Sequence, residues 1–431
     1  MRLPLRAIGV TAAVVCAMVG FTGGASFAAP PAAPQCGPSF ANLLSETPWP
    51  LRRLNPPAAW PLSRGKGVTV AVIDSGVSVN HPKLADQVLP GKDFLKSGPG
   101  TCDDDGHGTM VAGIIAAHDG ANDTKGAPFY GIAPDAKILP IRVLPDSKKT
   151  VDDALTGRIA QAIRWATDNG AKVVNMSLIT PPSQELADAV RYAQAKNVVL
   201  VAAAGNEGGS AFGNSALYPA AYPGVVAVAG IDQDGKHVES SNRGSNIAIS
   251  APGFSIEAPA PRGGGYVVEA KGGTSFTAAY VSGVAALVRA WNPALDAQAV
   301  IRRIVETADP APYPKDPDFG AGVVNPYRAV SAVVDTRGGR ALPPGPGPQP
   351  MAVADPLAGV KRAALVIAPA GAAIAVSLLL ATALRRRFGR DDAVVQGRQA
   401  PAALRPRDEF VPLIGQQLVI SAPSVHRTGG S

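Results

Sequence analysis

The chain has 431 residues, more than one domain usually needs, and a formal net charge of +7. Residues 361–431 carry ten Lys/Arg against four Asp/Glu and residues 1–28 add two arginines, which leaves the stretch between them at −1. A nearly neutral middle excludes a basic nucleic-acid groove and places the excess charge at the two ends.

Residues 1–28 open with Arg2 and Arg6, continue through the apolar run 7–20 and finish on Ser26, Phe27 and Ala28. A charged start, a short apolar core and a small-x-small site read as a secretory signal peptide. Residues 29–66, rich in Pro and Ala and carrying Trp49 and Trp60, read as an ordered extension with little regular structure. Cys16 leaves with the signal peptide, so Cys36 and Cys102 remain, and in an oxidising compartment they are expected to form one disulfide.

From Gly67 a strand–helix rhythm begins. Residues 68–73 are apolar and β-branched on both faces, which suits a buried parallel strand ending at Asp74. A helix is expected from His107 to 117, a strand over 136–144, and an amphipathic helix over 152–170 capped by Asp152 or Asp153. Then follow a strand over 173–177, a helix from Ser183 closed by Asn197, and strands over 198–204 and 225–229. Helices from 274 to 291 and 295 to 307 complete the domain. Alternating strands and helices imply a mostly parallel sheet covered on both faces, an α/β architecture over residues 67–335. No internal repeat is present.

Residues 336–362 are rich in Pro and Gly, with Pro343, Pro344, Pro346, Pro348 and Pro350, and read as a semi-rigid linker. Residues 363–384 are 22 positions without a charge. As a helix they reach roughly 33 Å, enough to cross a bilayer. Arg385, Arg386 and Arg387 follow directly and assign residues 385–431 to the cytoplasm. The domain over residues 67–335 then lies outside a cell membrane on a single-pass anchor. The signal peptide gives the same topology independently.

Among the five histidines, His107 stands apart. It sits in Asp105-Gly-His-Gly-Thr109, opens a helix, and follows an aspartate at a strand end, where α/β sheets collect their reactive groups. Ser275 lies in Gly272-Gly-Thr-Ser275, on the first turn of a helix with free N–H groups and a positive dipole end. Serine alone is a poor nucleophile and needs a base such as His107. The base in turn needs a carboxylate to hold its tautomer, the role of Asp74. The motif lacks the Gly-x-Ser-x-Gly pattern, and the order Asp, His, Ser differs from that of the α/β-hydrolases. Asn206, after a strand and Gly205, is placed to donate its amide to a developing oxyanion beside the Ser275 N–H.

The segments Val70-Ala-Val-Ile-Asp-Ser-Gly76, Gly106-His-Gly-Thr109, Ala202-Ala-Ala-Gly-Asn206 and Gly273-Thr-Ser275 resemble the signatures of subtilisin-like serine proteases. So do Gly131-Ile-Ala-Pro134 and Val174-Asn-Met-Ser177. Within that family the chain looks most like the mycosins, proteases associated with type VII secretion in actinobacteria. That likeness rests on Pro48-Trp49-Pro50 and its extension, Cys102-Asp-Asp-Asp-Gly-His107, the proline linker and the C-terminal apolar segment. The resemblance implies a three-layer subtilisin-like fold and a peptide-bond hydrolase working through an acyl-enzyme. Its catalytic set is Asp74, His107, Ser275 and Asn206, and its partners are protein or peptide substrates and a type VII secretion membrane complex. A structural subunit of such a complex, with proteolysis secondary, is the alternative.

No cofactor is expected, no acidic cluster marks a structural Ca²⁺ site, and no nucleic acid is expected as partner. The sequence departs from the family pattern at Ile179, where glycine usually leaves room for substrate, and at Ala279, where a proline usually stands. Residues 29–66 are too few for a folding prosegment. They are expected to remain as a permanent wrap pinned by Cys36–Cys102.

Overall fold

The computed structural model describes residues 36–120, 129–147, 154–210, 215–314, 316–334 and 380–381. The chain divides into two units, Met1–Pro350 and Met351–Ser431. The expected signal peptide, linker and cytoplasmic tail lie outside the described residues. Of the expected membrane segment only Leu380 and Ala381 are described, both helical. Among the described residues no helix is long and apolar enough to cross a membrane.

The first unit opens with a short helix, α1 (Trp49–Leu54), started by a proline in its first turn and ended by Asn55 in the left-handed region. The extension therefore holds more regular structure than its composition suggests. Then come β1 (Thr69–Asp74), β2 (Lys92–Asp93), α2 (His107–Ala116), β3 (Lys137–Arg142), α3 (Leu155–Asp168), β4 (Val173–Met176), α4 (Gln184–Ala195), β5 (Val199–Ala203) and β6 (Val225–Ile231). After them follow β7 (Ile247–Pro252), β8 (Ile256–Pro259), β9 (Tyr266–Glu269), α5 (Thr274–Trp291), α6 (Ala297–Glu306), β10 (Asp309–Pro310), β11 (Gly322–Val323) and α7 (Pro326–Ser331).

Nine strands form one sheet in the order β10-β11-β7-β6-β5-β4-β1-β3-β2, with β8 and β9 as a separate antiparallel pair. Every pairing in the large sheet is parallel except that of β10 with β11. Successive residues of β1 point to opposite faces, as the two-residue period of a strand requires. Val70 and Val72 join the core that holds α2 and α5, whereas Ala71 and Ile73 join the core that holds α3 and α4. The three layers expected from the strand–helix alternation follow from this division.

The boundaries differ from expectation where a specific bond ends an element. The strand expected over 136–144 stops at Arg142, because Val143 and Leu144 both donate their N–H to the Asp74 carbonyl and turn the chain off the sheet. The helix expected from 152 begins at Leu155. Its N-cap position is Ala154, which offers no side-chain cap, and Asp152 and Asp153 lie outside the described residues. The last long helix begins at Ala297, once the Asp296 carboxylate has accepted from Ala299 N–H. Ser183 caps α4 as its sequence position suggests, and Asn197 past the helix end adopts φ +65°.

Candidate active site

The sheet order reverses at β1, which has the later strands β3 and β4 on its two sides. In an open α/β sheet such a switch point opens a crevice at the carboxyl ends of the strands. Asp74 is the last residue of β1 and is fully buried. Ser177 follows β4 directly.

His107 is the first residue of α2, with its side chain 15% exposed. Its Nδ1 lies 2.7 Å from Asp74 Oδ1, and the same oxygen accepts the Ser75 N–H at 2.7 Å. The close approach of α2 to β1 depends on Gly108, where a Cβ would come within 2.0 Å of the Gly76 carbonyl oxygen. The Phe276 ring of α5 packs against the imidazole, centroid to centroid 5.5 Å. Burial works to lower the His107 pKa, but the charge and hydrogen bond of Asp74, helped by the charges of Asp105 and Asp103, outweigh it and raise the pKa to about 9.

Ser275 is half-buried on the first turn of α5. The turn before it requires glycine at 272, at φ +64°, where a Cβ would meet the Gly253 carbonyl oxygen at 2.0 Å. The Ser275 hydroxyl donates to the Ser177 carbonyl at 3.2 Å, and no hydrogen bond joins it to His107 among the described residues. Asn206 is exposed next to β5. Its Oδ1 accepts both the Thr274 N–H at 2.8 Å and the Thr274 hydroxyl at 3.0 Å, and the Gly205 N–H donates back to Thr274 Oγ1. With Oδ1 so engaged, the Nδ2 end of the amide is the one that can serve as a donor. A depression of about 280 Å³ lined by Asn206, Glu207, Gly209, Ser210, Glu239 and Ser240 opens beside it.

Two sets of supporting residues were not assigned a role from the sequence. One is a buried polar ladder from α5 to β4. In it Ser282 Oγ donates to Asn175 Oδ1, Asn175 Nδ2 to Ser177 Oγ, and Ser177 Oγ to the Ser275 carbonyl at 2.7 Å. The signal was there in Val174-Asn-Met-Ser177, a polar pair inside an apolar strand, which needs buried partners. The other is Asp103, fully buried in the loop leading to α2. Ile179 is half-buried just past Ser177, and Ala279 is fully buried within α5. The expected Cys36–Cys102 disulfide is formed. Cys36, Cys102 and Asp104 are the one set of His, Cys and acidic residues among those described whose atoms lie close enough to share a metal ion, and both sulfurs are committed to the bridge.

Residues 65–330 match the subtilase family of S8 peptidases. Mycosin-4 of Mycobacterium tuberculosis (strain ATCC 25618 / H37Rv) is 38% identical over 375 residues, covering 77% of this chain and 81% of the relative. The crystal structure of MycP1 with its N-terminal propeptide removed superposes with a TM-score of 0.61 at 32% identity, covering 68% of this chain and 100% of that one. A chain in the structure of the periplasmic assembly from the ESX-5 inner membrane complex gives a TM-score of 0.59 at 30% identity, covering 74% and 97%.

Proposed function

Since this chain belongs to the subtilase family of serine proteases, we propose that it is an extracytoplasmic endopeptidase in which Asp74, His107, Ser275 and Asn206 carry the reaction. The observation that supports this most is the 2.7 Å bond between His107 and the buried Asp74 in the crevice where Ser275 opens α5. Asp74 holds the Nδ1–H tautomer of His107 and leaves Nε2 as the base. A turn of the Ser275 side chain away from the Ser177 carbonyl brings its hydroxyl to that base. Oγ attacks the scissile carbonyl while its proton passes to His107. Asn206 Nδ2 and the Ser275 N–H hold the developing oxyanion. Collapse expels the amine, which takes the proton from His107, and water then releases the acyl group by the same steps.

The proposed setting is a single-pass membrane protein. Residues 1–28 direct export, 336–362 form a spacer, 363–384 cross the membrane and 385–431 stay in the cytoplasm. The likeness to mycosins supports a role beside type VII secretion. A second role, as a structural subunit of a secretion complex, is favoured by the likeness to a chain of the ESX-5 periplasmic assembly. One variant separates the two. Ser275→Ala in the native cell is expected to abolish cleavage of exported proteins; secretion preserved in the variant but lost when the whole chain is deleted separates the structural role from proteolysis, and secretion that already fails in the variant marks cleavage as required for it. Unchanged cleavage in Ser275→Ala contradicts the enzymatic reading.

A further inference from the structure

Asp103 is fully buried, yet it is neither a member of the triad nor paired with a cation among the described residues. Its carboxylate accepts four hydrogen bonds. Oδ1 receives the Gly106 N–H at 2.8 Å and the Ser75 hydroxyl at 2.9 Å. Oδ2 receives the Thr109 N–H at 2.8 Å and the Thr109 hydroxyl at 2.5 Å. Two of these donors, Gly106 and Thr109, bracket His107 in sequence and belong to the start of α2.

An ordinary helix-capping aspartate sits at the surface, where its charge is cheap. Here a charge is buried, which costs several kcal/mol before its hydrogen bonds are counted. Burial pushes the Asp103 carboxyl's pKa up, the hydrogen bonds from Thr109 and Gly106 work to hold it down, and the second buried carboxylate, Asp74, adds repulsion. A neutral cap would avoid both penalties, so the charge itself needs a reason.

Ser75 supplies one. Its hydroxyl lies between the two carboxylates, 2.9 Å from Asp103 Oδ1 and 3.2 Å from Asp74 Oδ1, and accepts the Gly108 N–H at 3.0 Å. A serine hydroxyl has one proton to give. If it went to Asp74, that oxygen would share its charge among Ser75 N–H, Ser75 hydroxyl and His107, and its hold on the imidazole would weaken. The shorter bond gives the proton to Asp103.

We propose that Asp103 is a positioning residue for the catalytic pair: it draws the Ser75 hydroxyl away from Asp74 and fixes, through Gly106 and Thr109, the helix start that carries His107. The proposal rests on the triad reading above. The groups that bear charge toward His107 are Asp74 at the end of β1 and Asp103 and Asp105 in the loop before α2, while α5 presents the uncharged Phe276. Loss of the Asp103 charge therefore makes the imidazole less basic.

The test uses the full-length chain and a serine-reactive diphenyl phosphonate, whose rate of attachment to Ser275 is followed against pH. Asp103→Asn, Ser75→Ala and the double variant are compared with wild type, with melting temperature measured on each. Asp103→Asn, which releases the Ser75 hydroxyl to Asp74 and loosens the start of α2, is expected to slow labelling about tenfold or more, as misplacement of a catalytic pair does, whereas Ser75→Ala, which removes the competing hydroxyl, slows it less. The double variant is expected to be no slower than Asp103→Asn, because without the hydroxyl nothing competes for Asp74. Asp103→Asn also shifts the acid limb to lower pH, whereas Ser75→Ala, which keeps the charge, leaves the limb in place. Additive losses in the double variant, or a wild-type rate in Asp103→Asn, overturn the proposal. If Asp103→Asn does not fold, Asp103→Glu, which keeps the charge but displaces both oxygens, takes its place: slow labelling supports the positioning role and a wild-type rate overturns it. Asp74→Asn is the control that separates the two readings. If it labels at the wild-type rate the triad reading has failed, and if it is slow while Asp103→Asn is fast only the role of Asp103 has failed.

Discussion

At the scale of single residues, His107 ties activity and stability to pH in opposite senses. Its pKa is raised from 6.5 to about 9 because Asp74, backed by Asp105 and Asp103, outweighs burial. The base must be neutral to take the Ser275 proton, so kcat/KM is expected to rise with pH across this window and to level off on its alkaline side. Stability runs the other way. A histidine whose folded pKa lies above its unfolded value stabilises fully below about 6.5, and that contribution is lost as pH climbs toward about 9. Parallel peptide-hydrolysis and thermal-melting series from pH 6 to pH 10 are expected to diverge, and a hydrolysis limb centred at or below the ordinary histidine value contradicts the assignment. Asn206 offers a second check. Asn206→Ala removes one oxyanion donor and is expected to lower kcat by roughly 10²–10³ with KM little changed. Because Asn206 Oδ1 also holds Thr274, melting is measured alongside to show that the start of α5 survives.

At the scale of elements, the extension is the part whose behaviour is least like a loop. The Phe40 N–H and carbonyl bond to the Arg262 carbonyl and the Gly265 N–H, Tyr266 donates to the Asn42 carbonyl, and the Trp49 indole donates to the carbonyls of Phe254 and Ser255. Cys36–Cys102 then ties this strap to the residue beside Asp103. With a sequence separation of 66, the bridge removes unfolded-state entropy worth about 4 kcal/mol in the chain-entropy model. Cys36→Ser is expected to lower the melting temperature and, by loosening the loop that carries Asp103, the rate of hydrolysis too. A variant with unchanged melting and activity contradicts the view of residues 29–66 as a permanent wrap.

The strands that were plain in the sequence, β1, β4, β5 and β6, are buried on both faces and so spell continuous apolar runs. β7 to β11 are short or interrupted by proline and glycine, and they exist because neighbours pair with them, which no local pattern records. The same division holds at the site. The proposed set of Asp74, His107, Ser275 and Asn206 stands out through glycine turns and element ends. Asp103 was hidden in a run of three aspartates, Asp103 to Asp105, in which nothing local says which one turns inward. The Ser275 hydroxyl resting on the Ser177 carbonyl is likewise a matter of side-chain rotation that no spacing encodes.

At the scale of the whole molecule, residues 29–360 carry a net charge of −1 and the positive excess lies at the two ends. The anchor reading makes a simple forecast. A chain ending at residue 362 is expected in the soluble exported fraction with its hydrolytic activity intact, while the full chain sediments with membranes and resists extraction by salt. A truncated chain that still sediments contradicts residues 363–384 as the anchor.

The central claim is that Ser275 is a nucleophile activated by His107 and Asp74. Its most direct test is to treat the folded full-length protein with a serine-reactive phosphonate and map the adduct by peptide mass spectrometry. A single adduct on Ser275, lost in His107→Ala and strongly reduced in Asp74→Asn, is the expected result. Folded protein that carries no adduct, or carries it on another serine, contradicts the account.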